Sequence, residues 1–179
     1  IADGKVLYIG SCNFPGWYLA AMECEALSCH MLGLASEQSL YNLAERTVEL
    51  EVLPACRHFG LGFLPWSPLS GGLLAGVLGK TLLGRRASPG ALQMIEKHRS
   101  QLEEYEAHCA EIGVRPAEAA LAWLLANPLV TAPIIGPRTA EQLRMSLKAL
   151  DVKLTKETLK RFDEIWPGPG GEAPEAYAW

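Results

Sequence analysis

The sequence predicts a parallel α/β fold, and three observations carry that expectation. Short apolar runs recur along the chain and end in turns rich in small or polar residues. Stretches with helix-compatible apolar spacing follow these turns. A polar side chain able to contact a ligand stands at each strand-to-helix turn: Ser11 and Asn13, Gln38, Ser67 and Ser70, and Arg138.

The first unit joins an apolar run at 6–9, which ends at Gly10-Ser11-Cys12-Asn13, to a helix over 17–32 with apolar spacing at Tyr18, Ala21, Met22 and Ala26. In the second, Leu34 and Ala35 run into Glu37-Gln38, and a helix over 48–59 follows. The third opens with a run at 61–66, passes through a Gly-rich stretch, and continues into a helix over 94–112. The fourth run, at 132–135, ends at Gly136-Pro137; Thr139-Ala140-Glu141-Gln142 is then a capping box opening a helix through Leu150. Four parallel βα units stand in sequence, followed by a C-terminal helical pattern and a tail. Parallel βα proteins gather loop residues at the C-terminal edge of the sheet, so one site built from four loops is expected.

The third turn is the most informative stretch. Residues 63–66 suit a strand buried on both faces, and Pro65 and Pro68 fix the backbone as it leaves. Ser67 and Ser70 offer hydroxyls, while Gly71 and Gly72 let backbone N–H groups approach an anion closely. No stretch fits G-x-G-x-x-G, and Gly79-Lys80-Thr81 has Leu74 where the first P-loop glycine should stand. Taken alone, such a loop is compatible with an ordinary turn as well as with an anion cradle. Residues 75–92, with Gly76, Gly79, Gly84, Gly90, Lys80, Arg85 and Arg86, read as a connecting loop before the helix over 94–112.

Five blocks now carry a family resemblance. They are Gly4-Lys5-Val6-Leu7-Tyr8-Ile9-Gly10-Ser11-Cys12-Asn13-Phe14, Glu37-Gln38-Ser39-Leu40-Tyr41-Asn42-Leu43, Pro65-Trp66-Ser67-Pro68-Leu69, Ile135-Gly136-Pro137-Arg138-Thr139 and Ala173-Pro174-Glu175-Ala176-Tyr177-Ala178-Trp179. In this order and spacing they resemble an aldo-keto reductase, most closely the bacterial branch that reduces aldehydes and ketones, including sugar-nucleotide ketones. The β subunits of voltage-gated potassium channels are relatives in the same family.

The resemblance implies a (β/α)8 TIM barrel, which takes roughly 250 residues, with this chain as its second half, strands five to eight, over residues 1–166. The Asp, Tyr, Lys and His of the family's catalytic tetrad fall upstream of Gly4, so no catalytic residue is expected in this chain. The residues agree: Asp3, Asp151 and Asp163 stand at no strand end, and His30, His58, His98 and His108 fall within or at the ends of helical patterns. No nucleophilic triad or paired carboxylate can be assembled.

The resemblance also implies most of an NADP(H) site. Ser11 or Cys12, with Asn13 and Gln38, would face the nicotinamide carboxamide, which needs a donor and an acceptor opposite it. Trp66 would stack on the nicotinamide, where the residues alone favour a core tryptophan at a strand end. Ser67, Leu69, Ser70, Gly71 and Gly72 would receive the pyrophosphate. Gly136, Arg138, Thr139, Gln142 and Arg144 look like the adenosine end, with guanidinium favouring a 2′-phosphate; for Arg144 alone, surface charge is the competing explanation. Ser146 stands where the family usually has an asparagine at the adenine.

Composition narrows the partners. Net charge is −4 with no basic stripe, which argues against nucleic acid. No apolar run approaches a spanning helix and no signal peptide is recognisable, so a cytoplasmic protein is expected. Cys12, Cys24, Cys29, Cys56 and Cys109 show no zinc spacing and read as reduced thiols; no metal is expected. Residues 167–179 begin with a Pro/Gly-rich segment but carry Tyr177 and Trp179, so the tail is expected to dock.

An isolated four-strand arc exposes two sheet edges and an apolar interior. The missing N-terminal half is therefore expected to be supplied in cis, in trans or by a second copy. Three functions remain: an NADPH-dependent reductase of a small-molecule carbonyl, a non-catalytic nucleotide-binding regulatory module resembling channel β subunits, or a structural half-barrel without ligand.

Overall fold

The computed structural model describes residues 1–79 and 87–173. Three parallel strands, β1 (Gly10–Cys12), β2 (Ser36–Leu40) and β3 (Gly62–Trp66), form one sheet in that spatial order. Seven helices accompany it among the described residues: α1 (Gly16–Ser28), α2 (Val52–Phe59), α3 (Pro89–Lys97), α4 (Arg99–Glu111), α5 (Pro116–Ala126), α6 (Ala140–Leu147) and α7 (Lys156–Ile165). The α/β class and the parallel pairing agree with the sequence.

Side chains alternate between the two faces of a strand. On β2 and β3 the buried positions are Glu37, Ser39, Phe63 and Pro65, while Ser36, Gln38, Leu40, Gly62, Leu64 and Trp66 are half-buried. Leu19 of α1, Leu53 and Cys56 of α2, and Trp123 and Leu124 of α5 belong to the same core as Phe63. Gln38 and Trp66 therefore share the more open face.

The fourth expected strand does not form. Residues 130–134 run beside β3, with a parallel bridge between Phe63 and Val130 and with Thr131 and Ile134 donating N–H to the Phe63 and Pro65 carbonyls at 2.9 and 2.8 Å. Pro65 and Pro133 have no N–H, and the Phe63 N–H goes to the Thr131 hydroxyl at 3.0 Å. A ladder without these donors cannot continue.

Several helices differ from expectation for local reasons. α1 stops at Ser28 rather than residue 32, because His30 turns left-handed (φ 56) and the Met31 N–H closes back onto the Ala26 carbonyl. α2 begins at Val52 rather than 48, after a separate 3-10 turn at Thr47–Glu49. A helix from 48 would place Pro54 in its interior, whereas here Pro54 lies in the first turn. The expected single helix over 94–112 is two, α3 starting earlier behind the cap Ser88 and α4 following a break at His98. α5, buried along most of its length, was not singled out from sequence; Pro116 at its first position is its start signal.

Thr139 caps α6 as expected, accepting from the Gln142 N–H at 3.2 Å. The reciprocal bond shifts by one residue, since Gln142 Oε1 accepts from the Arg138 N–H at 2.8 Å. The helix ends at Leu147 and passes into a 3-10 turn at Lys148–Leu150.

The start of the tail lies against the β2–α2 connection. Arg46 makes a two-pronged ion pair with Glu49, at 2.7 and 3.1 Å, and also donates to Asp163 of α7 at 2.6 Å and to the Trp166 carbonyl at 3.0 Å. Its guanidinium lies 5.1 Å from the centre of the Trp123 ring. A Cβ at Gly168 would stand 2.7 Å from Arg46 Nε, so the clasp admits only glycine there without shifting. Farther on, Glu172 pairs with Arg57 at 2.6 Å and the Ala173 N–H donates to the Leu50 carbonyl at 2.9 Å. The part of the tail motif at 174–179, including Tyr177 and Trp179, lies outside the described residues, as do Lys80, Gly84, Arg85 and Arg86 of the connecting loop.

Large apolar side chains are exposed on elements next to both sheet edges: Leu7, Trp17 and Leu27 near β1, and Leu143, Leu147 and Leu150 after the 130–134 segment. Among the described residues no helix is long and apolar enough to cross a membrane, and no group of His, Cys, Asp and Glu is arranged to hold a metal ion.

Two predictions follow from the packing. A Cβ at Gly16, the buried first residue of α1, would stand 2.6 Å from Glu51 Cβ and 2.7 Å from its carbonyl oxygen. Gly16→Ala should cost about 1–3 kcal/mol in a urea titration. Burial pushes the Cys56 thiol up to about 12, with the Glu37 charge adding to it, and burial likewise pushes Cys109 up to about 12. Both folded values exceed the ordinary thiol value of 9.0, so the stability these neutral thiols contribute is complete below that pH and is lost as pH rises towards about 12. The urea midpoint should fall steadily across this window, and Cys56→Ala with Cys109→Ala should shallow the fall.

Candidate functional site

The C-terminal ends of β1 and β3 meet above β2. Asn13 follows β1 directly, in the left-handed region at φ 57, and its N–H donates to the Gln38 carbonyl at 2.9 Å. Its side-chain oxygen accepts from Trp66 Nε1 at 2.9 Å. An exposed amide and a half-buried indole are thereby locked together across the sheet, beside Gln38. The register sets Cys12 opposite Gln38 and Leu40 opposite Trp66, so Cys12, Gln38 and Trp66 share one face.

Ser11 falls on the other face. Its hydroxyl donates to Glu37, which also accepts from the Ser39 hydroxyl at 2.5 Å and from the Phe14 N–H at 3.1 Å. Glu37 has no exposed surface. Of the alternatives Ser11 and Cys12, the structure brings Cys12 towards Gln38 and turns Ser11 away. Gln38 itself lies in the middle of β2 rather than at a turn, and reaches the site from the sheet's open face.

The loop after β3 is strained in a defined way. Ser67 and Ser70 have φ 52 and 49, and Gly71 and Gly72 have φ 65 and 102. Left-handed backbone costs a non-glycine residue roughly 1–2 kcal/mol, so fixed partners must hold it. The Ser67 carbonyl accepts from Asn42 Nδ2 at 3.0 Å and from the Ser70 N–H at 2.9 Å, and the Ser67 hydroxyl accepts from the Gly71 N–H at 3.2 Å. The Leu69 carbonyl accepts from the Gly72 and Leu74 N–H groups at 2.9 and 3.2 Å. Nothing stands within 4 Å of where a Gly71 Cβ would project, leaving that side open. Ser70, Gly71, Ser88, Gly90 and Met94 help line a cleft of about 210 Å³ there.

The fourth group lies farther along the chain. Gly136, Arg138, Thr139, Gln142 and Arg144 are all exposed. Thr139 and Gln142 spend side-chain groups on the helix cap, and the Ser146 hydroxyl donates back to the Gln142 carbonyl at 3.0 Å. Among the described residues the Arg138 and Arg144 guanidiniums have no ion-pair partner. The structure thus joins Asn13, Gln38, Trp66 and the 67–72 loop in one region, while Arg138 and Arg144 stand on the segment that follows residues 130–134.

Sequence reasoning assigns no role to Glu37 and Asn42, the buried residues that hold this arrangement. A signal was present: a central strand reading Ser36-Glu37-Gln38-Ser39-Leu40 is too polar for a core strand unless its polar groups bond to one another.

Sequence comparison agrees with this architecture. The profile of the aldo/keto reductase family matches residues 1–167. The chain is 55% identical over 179 residues to an uncharacterized oxidoreductase, YrpG, of Bacillus subtilis, covering all of this chain and 55% of that protein. It is 32% identical over 177 residues to a putative voltage-gated potassium channel subunit beta of Schizosaccharomyces pombe, covering 92% of this chain and 52% of that one. It is 27% identical over 167 residues to norsolorinic acid reductase of Aspergillus flavus, covering 93% and 42%. The chain belongs to the aldo/keto reductase family, whose members are oxidoreductases generally using a nicotinamide cofactor. It spans about half the length of the curated relatives it matches.

Asn42 is 1% exposed, and its side chain serves two backbone groups, the Ser67 carbonyl and the Ala44 N–H at 2.9 Å. Asn42→Ala removes the partner of the Ala44 N–H and leaves the Ser67 carbonyl with the Ser70 N–H, and should cost about 1–3 kcal/mol in chemical denaturation.

Proposed function

We propose that this chain carries the cofactor side of an NADPH-dependent aldo/keto reductase that reduces an aldehyde or ketone, sugar and sugar-nucleotide ketones among them. The observation that carries the proposal is the Asn13–Trp66 bond across the end of the sheet. It holds an amide and an aromatic face beside Gln38, the set of groups a nicotinamide carboxamide and ring require.

The residues present fit the cofactor. Asn13 and Gln38 would bond the carboxamide, with Ser11 acting behind them because its hydroxyl is taken by Glu37. The open side of Gly71, with Ser67, Leu69, Ser70 and Gly72, would receive the pyrophosphate. Arg138 and Arg144, on either side of the Thr139 cap, would neutralise a 2′-phosphate, with Gly136, Thr139 and Gln142 beside the adenosine. The bound cofactor supplies a hydride donor; this chain's part is to fix which ring face Trp66 covers and to exclude water from it.

A proton must also reach the forming alkoxide. We propose that it comes from the remaining half of a (β/α)8 barrel, with this chain as strands five to eight. The relatives' greater length and the exposed apolar side chains beside both sheet edges support that completion. The cytoplasm is the compartment this function would suit. The channel-subunit likeness of one relative, at 32% identity, does not displace the reductase reading, which the 55% identity to an oxidoreductase favours.

The test is titration with NADPH and NADH, followed by fluorescence. NADPH should bind more tightly, and Arg138→Ala should weaken NADPH about tenfold while leaving NADH nearly unchanged. Equal binding of the two cofactors, or an equal loss of both, would refute the 2′-phosphate role.

A further inference from the structure

Glu37 is a carboxylate with no exposed surface on the central strand of the sheet, and among the described residues it has no cationic partner. Burying such a group costs several kcal/mol unless hydrogen bonds compensate, and a leucine at the same place would pack with no such cost. What the carboxylate does instead is visible in its partners. One oxygen accepts from the Ser11 hydroxyl; the other accepts from the Phe14 N–H at 3.1 Å and from the Ser39 hydroxyl at 2.5 Å.

Ser11 and Phe14 bracket Cys12 and Asn13. Between these two anchors the chain must pass through the left-handed conformation of Asn13, with a third bond from its N–H to the Gln38 carbonyl at 2.9 Å. The turn is thus tied to β2 at three points, Ser11, Asn13 and Phe14, two of them on the Glu37 carboxylate. Asn13 in turn accepts from Trp66 Nε1, so the position of the indole depends on the same turn. We propose that Glu37 is a positioning residue for the nicotinamide end of the site, setting Asn13 and, through it, Trp66 without touching the cofactor; this rests on the cofactor reading above.

Two ligands separate this role from a structural one. NADPH uses both ends of the site, whereas adenosine 2′,5′-bisphosphate lacks the nicotinamide and reports on the far end alone. In the protein at its full natural length, Glu37→Leu should weaken NADPH about tenfold and leave adenosine 2′,5′-bisphosphate unchanged. Glu37→Gln should restore most of the loss, because the amide oxygen still accepts from the Phe14 N–H and the Ser11 hydroxyl can rotate to accept from the amide nitrogen. Ser11→Ala, which cuts one anchor and keeps the carboxylate's bonds to Phe14 and Ser39, should show a smaller loss with the same selectivity and covers the case in which Glu37→Leu does not fold.

Unchanged NADPH affinity in Glu37→Leu or, where that variant does not fold, in Ser11→Ala would overturn the assignment, as would a parallel loss of both ligands. Those outcomes leave the cofactor site standing. Failure of the unaltered protein to bind either ligand would instead overturn the cofactor reading and this assignment with it.

Discussion

Strand β2 is hydrogen-bonded along both edges, and because side chains alternate along a strand, its pairing decides on which face the residues of all three strands fall. Gln38 faces the open side with Cys12 and Trp66; Glu37 and Ser39 face the core with Ser11, Phe63 and Pro65. A slip of one residue would exchange these sets and bury the amide of Gln38 while exposing the carboxylate of Glu37. The close approach at Gly10 helps hold the register, since a Cβ there would stand 2.6 Å from the Ser36 hydroxyl.

Strain and its restraint are concentrated at one end of this sheet. Among the described residues four non-glycine positions have positive φ, and three of them, Asn13, Ser67 and Ser70, lie at the ends of β1 and β3. Asn13 is framed by bonds to Glu37 and Gln38; Ser67 is held by Asn42 just beyond the end of β2. Conformations of this kind persist only when surroundings over-determine them. The polar interior of β2 and its following turn supplies that over-determination, which explains why a central strand is so rich in oxygen and nitrogen.

The same connection also organises the far side of the molecule. Tyr41, next to Asn42, donates to Glu49 at 2.8 Å, and Glu49 pairs with Arg46, which grips α7 and the turn after it. The segment 41–49 therefore links the site's loop to the C-terminal helix through adjacent side chains pointing in opposite directions. Among the large apolar residues left in water are those on the elements flanking the two sheet edges, Leu7, Trp17, Leu27, Leu143, Leu147 and Leu150.

Local chemistry was legible without the structure. Alternation of apolar runs with helical patterns marked the parallel class, Thr139 marked a helix start, and the five motif blocks marked the family. In Ser67-Pro68-Leu69-Ser70-Gly71-Gly72 the paired glycines marked where backbone forbidden to a Cβ could occur, and an ordinary turn stayed compatible with the same residues. What tertiary structure alone decided was direction and partnership. Ser11 and Cys12 are neighbours with equal local claims, and only pairing with β2 sends one towards Gln38 and the other to Glu37. The fourth strand failed because two prolines from distant segments, Pro65 and Pro133, met where a ladder needed donors. Sequence specifies which groups a segment carries; which of them remain free for a ligand depends on the hydrogen bonds that long-range packing consumes.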